Sequence, residues 1–310
     1  MGFGALGSIE AITEGLGSVG YISTAQISTA VFLAQHLRKP ILIEGPAGVG
    51  KTDLAQSTAR FVGLPLVRMQ CYEGLDESKA LYEWKYGKQL LYTQILKEQL
   101  HHILEGAETL DQSFAKLHSF EDLFFSEAFL EPRPLLRALK EEKGCILLID
   151  EVDKADEEFE AFLLEVLSEY QVTVPELGPV TAAVPPLVML TSNNTREIGD
   201  ALKRRCLHLY ISFPEAAREQ AIVRARVPGI SAELLGQLVA FVQGLRAEEL
   251  KKLPSIAETV DWARTLLLLH AESLEPELVR ATLNVLLKFE SDIRTVQAKL
   301  ETLTRKAREG

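Results

Sequence analysis

The chain has 310 residues, of which 47% are hydrophobic and 25% are charged, so a globular protein of about two domains is expected. Its 44 acidic and 33 basic side chains give a formal net charge of −11, which argues against a broad nucleic-acid-binding surface. Three widely separated cysteines favour reduced thiols over a disulfide framework or a metal cluster. No stretch has the pattern of a membrane span or a signal peptide, and we expect a cytoplasmic protein.

The beginning of the chain is only weakly patterned. Residues 1–26 are expected to form an N-terminal arm, whose Gly-rich first part would be either a loose segment or a short capping helix. Apolar residues between Ile27 and Leu37 predict a helix, which Pro40 ends. The first α/β domain is therefore expected to begin at about residue 27.

The next stretch has the pattern of a phosphate-binding loop. A short apolar strand, Ile41–Glu44, leads into the form G-x-x-x-x-G-K-[ST], and a helix is predicted from Lys51. Glycines let the backbone N–H groups approach a polyphosphate, Lys51 can reach the β- and γ-phosphates, and the Thr52 hydroxyl can bind Mg²⁺. The alternative is an ordinary Gly/Pro turn, but the flanking strand and helix favour a nucleotide site. The candidate binding residues are Gly45, Pro46, Ala47, Gly48, Val49, Gly50, Lys51 and Thr52.

Residues 72–90, which follow a strand predicted at residues 66–71, have an unusual pattern, and we call this segment the insert. Tyr82, Trp84 and Tyr86 alternate with charged residues, which predicts an extended segment with one aromatic face. This face would either contact a client protein or pack against its own subunit. Further helices are predicted up to about Leu104, near residues 112–118 and near residues 132–141.

A second candidate site lies at the end of the apolar run before Asp150 and Glu151. The run predicts a buried parallel strand with two carboxylates at its tip. Asp150 can hold Mg²⁺, directly or through water, and Glu151 can polarise a water for attack on the γ-phosphate. The alternative is a pair that caps the next helix, but the preceding phosphate loop favours the catalytic interpretation.

A third group of polar residues follows a predicted hairpin at residues 171–184. The next core strand ends near Asn193, and the carboxyl ends of parallel strands meet at one edge of a sheet, where ligands bind. Asn193 could therefore hold the attacking water. Arg204 and Arg205 end a short helix, and they are either a solvated basic cap or functional cations.

Strand and helix signals alternate up to residue 211 and then give way to helices alone. This indicates an α/β domain over residues 27–213 with a parallel five-stranded sheet, followed by a smaller all-helical domain over residues 214–310. The five predicted core strands are residues 41–44, 66–71, 145–149, 187–190 and 207–211.

In this order, the phosphate loop, the carboxylate pair, Asn193 and the paired arginines resemble the motifs of the AAA+ ATPases. Gly45–Thr52 matches Walker A, Ile146–Glu151 matches Walker B, Asn193 matches sensor 1, and Arg204 or Arg205 matches the arginine finger. The resemblance implies a P-loop three-layer αβα core with a helical lid. It also implies that Arg205, which directly precedes the fifth strand, acts on the nucleotide of a neighbouring subunit.

The insert and the hairpin resemble those of the AAA+ branch that contains the MoxR family. The segments Gln70–Asp76 and Tyr82–Trp84 are similar to MoxR members associated with maturation of molybdenum-containing CO-dehydrogenase-type enzymes. The lids of this family usually carry a sensor 2 arginine where this chain has Ala257, and Arg264 is the nearest candidate.

The resemblance implies an ATP- and Mg²⁺-dependent hydrolase that works as a homo-hexamer. It further implies a chaperone-like role in metalloenzyme maturation, with a von Willebrand A domain protein as partner. One alternative is a motor or loader that acts on nucleic acid, which the acidic balance disfavours. Another is a nucleotide-gated binding module with negligible turnover, against which the pair Asp150 and Glu151 argues.

Overall fold

A five-stranded parallel sheet lies at the centre of the computed structural model, which describes residues 2–104, 127–175 and 177–309. The strand order is β2-β5-β8-β1-β9, and every neighbouring pair is parallel. The strands are β1 (Ile41–Glu44), β2 (Leu66–Gln70), β5 (Ile146–Asp150), β8 (Leu187–Ser192) and β9 (Leu207–Tyr210). This confirms the predicted α/β class and the five-stranded parallel sheet.

Helices precede, connect and follow these strands. The helices of the first part are α1 (Ile9–Ser18), α2 (Ala25–Leu37), α3 (Lys51–Val62), α4 (Glu77–Leu81), α5 (Tyr86–Leu104), α6 (Pro134–Lys140), α7 (Glu157–Glu169) and α8 (Asp200–Arg205). The C-terminal part is helical, with α9 (Ala216–Arg226), α10 (Ala232–Arg246), α11 (Ile256–Leu268), α12 (Pro276–Leu286) and α13 (Glu290–Glu309).

Burial follows the position of each strand in the sheet. Every residue of β5 and β8 is buried, as expected of inner strands with helices on both faces. The edge strand β2 alternates between buried and more exposed residues, so Arg68 and Gln70 project from one face. The uniformly apolar runs of the sequence therefore mark the inner strands.

The N-terminal residues form a 3-10 turn, Gly2–Leu6, and helix α1, so the capping-helix alternative applies. Leu6, Ile12 and Leu16 are buried in the same hydrophobic cluster as β1 and α3. A Cβ added at Gly15 would come within 2.0 Å of the Phe61 ring. The close approach of α1 to α3 therefore requires glycine at this position.

A buried ion pair and an aromatic core hold the C-terminal helices together. Arg246 donates to both carboxylate oxygens of Glu219 at 2.7 Å, and the Thr259 hydroxyl donates to the same carboxylate. Trp262 Nε1 donates to Thr282 Oγ1 at 2.9 Å, so this large ring is buried without an unsatisfied donor. The part of the chain predicted to be all-helical forms five helices over Ala216–Glu309.

The predicted single aromatic face of the insert is wrong. Strand β3 spans only Tyr82–Trp84, where it pairs antiparallel with β4 (Leu130–Pro132), and α5 begins at Tyr86. Because the chain changes from strand to helix between Trp84 and Tyr86, the alternation of period two is lost. Trp84 is 8% exposed and packs within its own subunit, whereas Tyr86 is 66% exposed.

The structure describes one of two other predicted segments, the hairpin at residues 171–184 and the helix near residues 112–118, but not the other. Strands β6 (Gln171–Val174) and β7 (Gly178–Thr181) pair antiparallel inside the predicted hairpin. The helix expected near residues 112–118 lies outside the described residues. Within the described part of the chain, no helix combines the length and the apolar character that a membrane crossing requires.

Candidate nucleotide-binding site

The phosphate loop joins the carboxyl end of β1 to the start of α3, and its glycines have backbone conformations that other residues rarely adopt. The φ angles are +147° at Gly45, +74° at Gly48 and +95° at Gly50. A Cβ at Gly45 would lie 2.1 Å from the carbonyl oxygen of Ile211, which follows the neighbouring strand β9. Glycine is therefore required here by both conformation and space.

Lys51 is folded back against the loop and toward β8. Its Nζ donates to the carbonyl oxygens of Gly45 at 2.5 Å and Pro46 at 2.7 Å, and to Asn193 Oδ1 at 2.8 Å. Burial lowers the pKa of Lys51, while the carboxylates of Asp153 and Asp150 act in the opposite direction. The structure thus brings the predicted phosphate-binding lysine and the predicted water-positioning asparagine into direct contact.

Asp150 lies at the tip of β5 and faces Thr52. The Thr52 hydroxyl is 3.1 Å and 3.3 Å from its two carboxylate oxygens, and Thr191 Oγ1 donates to Oδ1 at 2.5 Å. Arg68 Nη2 donates to Oδ2 at 2.6 Å. A carboxylate and a hydroxyl oxygen that face each other beside the loop suit the oxygen-ligand preference of Mg²⁺, so the donor set fits this ion.

Glu151 turns out of the strand with a φ of +56°, and three side chains hold its carboxylate. Asn193 Nδ2 donates to Oε1 at 3.2 Å, whereas Gln70 Nε2 at 2.8 Å and Lys154 Nζ at 2.5 Å contact Oε2. Glu151 forms no capping hydrogen bond, and α7 is capped instead by Asp156. The helix-capping alternative for the carboxylate pair is therefore wrong.

Asp153 fixes the loop that carries Asn193. Its Oδ2 accepts hydrogen bonds from the backbone N–H groups of Asn193 and Thr195 and from the Thr195 hydroxyl. Burial alone would raise the pKa of Asp153, but these hydrogen bonds outweigh it and lower the pKa. The result is an ionised, buried carboxylate that positions Asn193 between Lys51 and Glu151.

A cavity of about 280 Å³ adjoins the phosphate loop. Its lining includes Tyr21 and Ile22, Val49 of the loop, and Ile256 and Val260 of α11. A Cβ at Gly48 would come within 2.4 Å of Ser255, so the helical part contacts the loop closely. An apolar cavity beside a phosphate loop suits the base and sugar of a nucleotide.

Comparison with known proteins identifies this arrangement. The family model described as "AAA domain (dynein-related subfamily)" matches residues 40–206, which include the loop, the carboxylate pair and Asn193. The chain belongs to this AAA family. Family membership supports ATP binding and nucleotide hydrolysis, and it agrees with the AAA+ core that the motifs predicted.

Relatives of this AAA protein match over most of its length. Two uncharacterized proteins of Staphylococcus epidermidis are each 25% identical over 274 residues, which cover 86% of this chain and 90% of theirs. An uncharacterized protein of Staphylococcus aureus is 26% identical over 237 residues, covering 74% of this chain and 76% of its own. The similarity therefore extends beyond the AAA domain into the helical part.

Two residues of α11 bear on the sensor 2 arginine that the resemblance leads us to expect at Ala257. Ala257 and Arg264 both line the cavity beside the phosphate loop. Arg264 Nη1 also pairs with Asp261 Oδ1 at 3.2 Å, where both side chains are more than half exposed. Arg264 of α11 therefore lies beside the same cavity as Ala257.

Arg204 and Arg205 are not part of this cluster. Both are exposed at the end of α8, next to the amino end of β9, whereas Gly45 follows the carboxyl end of β1. Because Ile41 and Leu207 are partners in the parallel register of β1 and β9, about 13 Å of strand separates the amino end of β9 from the carboxyl end of β1. Arg205 Nη1 donates to Ser168 Oγ at 2.7 Å, and Arg204 contacts no polar partner among the described residues.

Sequence reasoning missed several residues that shape the site. Thr191 and Arg68 contact Asp150, and Gln70 and Lys154 contact Glu151. Only Lys154 could have been noticed, because it lies three residues after Glu151 in the sequence. The others lie on strands whose adjacency to β5 the sequence does not reveal.

Proposed function

We propose that the protein is a Mg²⁺-dependent ATP hydrolase that remodels protein clients. The proposal is supported above all by one contact chain: Lys51 bonds Asn193, which bonds Glu151, beside the facing oxygens of Thr52 and Asp150. The groups proposed to bind phosphate, position water and accept a proton are thus linked in one chain of hydrogen bonds.

Each side chain has one role in the proposed reaction. The loop amides and Lys51 hold the β- and γ-phosphates, while Thr52 and Asp150 would hold Mg²⁺, which neutralises charge on the phosphates when bound. Asn193 orients the attacking water through its amide. Glu151 accepts the water proton, and its contacts with Gln70 and Lys154 hold the carboxylate in place until then.

We further propose a ring of identical subunits, a homo-hexamer as the family resemblance implies. Arg205 would stabilise charge on the γ-phosphate of a neighbouring subunit. Its exposure, and its place at the sheet edge away from its own phosphate loop, support action in trans. Arg204 is the second candidate, and separate substitutions of the two distinguish them.

The client is proposed to be a protein, and specifically a metalloenzyme that matures in the cytoplasm with the help of a von Willebrand A domain partner. The support is the MoxR-like resemblance of Gln70–Asp76 and Tyr82–Trp84. The net charge of −11 disfavours nucleic acid as the client. Co-purification on a Glu151→Gln variant, which should keep ATP and client bound, would identify the client.

The hydrolase is tested by phosphate release and nucleotide binding on three proteins. Lys51→Ala should bind ATP poorly, because the cation that meets the phosphates is lost. Glu151→Gln should bind ATP normally but turn it over at least about a hundredfold more slowly, since the amide is a poor base. Wild-type turnover in Glu151→Gln would refute the role of Glu151, and no turnover in the wild type would favour a nucleotide-gated module. Stimulation by DNA or RNA that fades with salt would favour a nucleic-acid motor.

A further inference from the structure

Two adjoining cavities lie on the surface between the loop after β2 and the beginning of α7. Their volumes are about 620 Å³ and 460 Å³, and Asp156 lines both. We call them together the acidic groove, because carboxylates recur along its rim. The rim carboxylates are Glu73, Asp76, Glu77, Asp156, Glu157 and Glu158.

Most of these rim carboxylates have no cationic partner among residues 2–104, 127–175 and 177–309. Of the cations that line the groove, Lys154 pairs with Glu151 of the nucleotide site and Arg196 pairs with the buried Glu160. Lys79 neutralises one rim carboxylate, Asp76, at 2.7 Å. A concave surface with an excess of one charge raises the local concentration of ligands of the opposite charge, so a cationic ligand is favoured.

The second cavity has an apolar floor beneath this rim. Leu75, Leu81 and Phe159 are buried there, and the half-buried Phe162 ring packs 5.8 Å from the ring of Phe159. Tyr72, 47% exposed, lines the first cavity, where a cation can pack against its ring. The groove therefore suits a ligand that combines basic and apolar side chains.

Two residues that line the first cavity each carry one buried polar atom without a hydrogen-bond partner among the described residues. Asp153 is 3% exposed, and its Oδ1 accepts no hydrogen bond from any residue in the described ranges. Arg196 Nε likewise has no acceptor among them, although Nη2 bonds the carbonyl of Ala155. Both atoms are closed off from solvent in the cavity wall, so they would meet the N–H and C=O groups of a polypeptide only where the wall rearranges on binding.

We propose that the acidic groove binds a basic, partly apolar segment of the client polypeptide. This inference rests on the proposed protein-remodelling function and names the client chemistry. The groove also shares two residues with the nucleotide site: Asp153 holds the backbone of Asn193, and Lys154 pairs with Glu151. A segment that contacts Asp153 or Lys154 would therefore shift the groups that position and activate water, so binding should change ATP turnover.

The test uses two fluorescein-labelled peptides of twelve residues, one alternating Lys and Leu and one alternating Glu and Leu. Fluorescence anisotropy measures binding to the full chain with ATP present, and phosphate release is measured in parallel. The groove variant carries Glu73→Gln and Glu158→Gln, one substitution in each cavity. The matched control carries Glu142→Gln and Glu249→Gln, which remove the same charge from exposed positions outside the groove.

The wild type and the control should bind the Lys/Leu peptide equally, and the groove variant about threefold to tenfold more weakly, because two exposed charge pairs are lost. The inference would be overturned if the groove variant bound the Lys/Leu peptide as tightly as the wild type does. It would also be overturned if the wild type bound the Glu/Leu peptide as tightly as the Lys/Leu peptide. A smaller assembly of the groove variant by light scattering would overturn it as well, because the groove would then be an interface between copies. Basal ATP turnover without peptide separates the outcomes: if it is intact while peptide binding fails, only the groove inference is lost.

Discussion

Substitution of Gly48 by alanine should separate the helical part from the phosphate loop. The new Cβ would lie 2.4 Å from both Cβ and Oγ of Ser255, whereas carbon atoms in contact normally stay about 3.5–4.0 Å apart. Because a Cβ is fixed to the backbone, no rotamer change relieves the contact. The loop and the start of α11 must therefore move apart by about 1 Å.

Conformation adds a second penalty that can be measured separately. Alanine at a φ of +74° costs about 1–2 kcal/mol in the left-handed region. Gly63→Ala is the matched control, because Gly63 has a φ of +70° and a Cβ there would meet nothing within 4 Å. Urea unfolding should show the conformational loss alone in Gly63→Ala and a larger loss in Gly48→Ala, which also carries the contact with Ser255, and only Gly48→Ala should disturb the nucleotide cavity.

The decisive assay is equilibrium binding of a fluorescent ATP analogue. Gly48→Ala should weaken binding at least about tenfold, which corresponds to about 1.4 kcal/mol, while Gly63→Ala should bind like the wild type. Ser255→Gly removes the opposing Cβ and Oγ, and glycine replaces an N-cap serine at a loss of only a few tenths of a kcal/mol. Adding it to Gly48→Ala should restore most of the affinity. A weakened Gly48→Ala that Ser255→Gly does not rescue would refute the reasoning, because the Cβ would then obstruct the phosphates directly.

Three further predictions test the surroundings of the site. Arg205→Ala should lower ATP turnover by about 10³-fold or more with ATP affinity unchanged, as for arginine fingers elsewhere. Mixing Arg205→Ala subunits with Glu151→Gln subunits should restore activity above that of either variant alone. If a ring that exchanges its subunits showed no gain on mixing, action in trans would be contradicted. Arg68→Gln should lower the Mg²⁺ concentration for half-maximal binding of the ATP analogue about twofold to fivefold, because the half-exposed guanidinium no longer offsets the charge of Asp150; an unchanged titration would contradict this. Burial, and to a smaller extent the nearby Asp150 carboxylate, raises the pKa of Cys71 to about 12. This thiol should therefore resist iodoacetamide at pH 8 in the folded protein, and rapid alkylation measured by mass spectrometry would show that the segment after β2 opens.

Local patterns in the sequence were enough to predict the site residues that lie within one strand–loop–helix unit. The glycines and Lys51 follow β1 directly, and Asp150 and Glu151 end an apolar run, so short-range spacing predicts both groups. The order of polar residues along parallel strands also predicts that Asn193 joins them, since carboxyl ends share one edge. The contact of Lys51 with Asn193 is the structural outcome of that rule.

The insert shows where a local pattern misleads. Alternation of Tyr82, Trp84 and Tyr86 has the period of a strand, but only the first two lie in β3, and α5 starts at the third. The pairing of β3 with β4, which is distant in sequence, decides where the strand ends. A period of two over five residues cannot reveal that partner.

The sequence by itself determined the identity of the phosphate loop, the carboxylate pair and the α/β alternation, because each depends on neighbours along the chain. Only the tertiary structure decided that Arg68 reaches Asp150 and that Gln70 reaches Glu151, because this requires β2 to lie beside β5 in the register Gln70–Asp150. The nucleotide cavity likewise joins Tyr21 to the distant helix α11. Contacts between segments far apart in sequence depend on how strands are ordered and helices are packed, and no local spacing encodes that order.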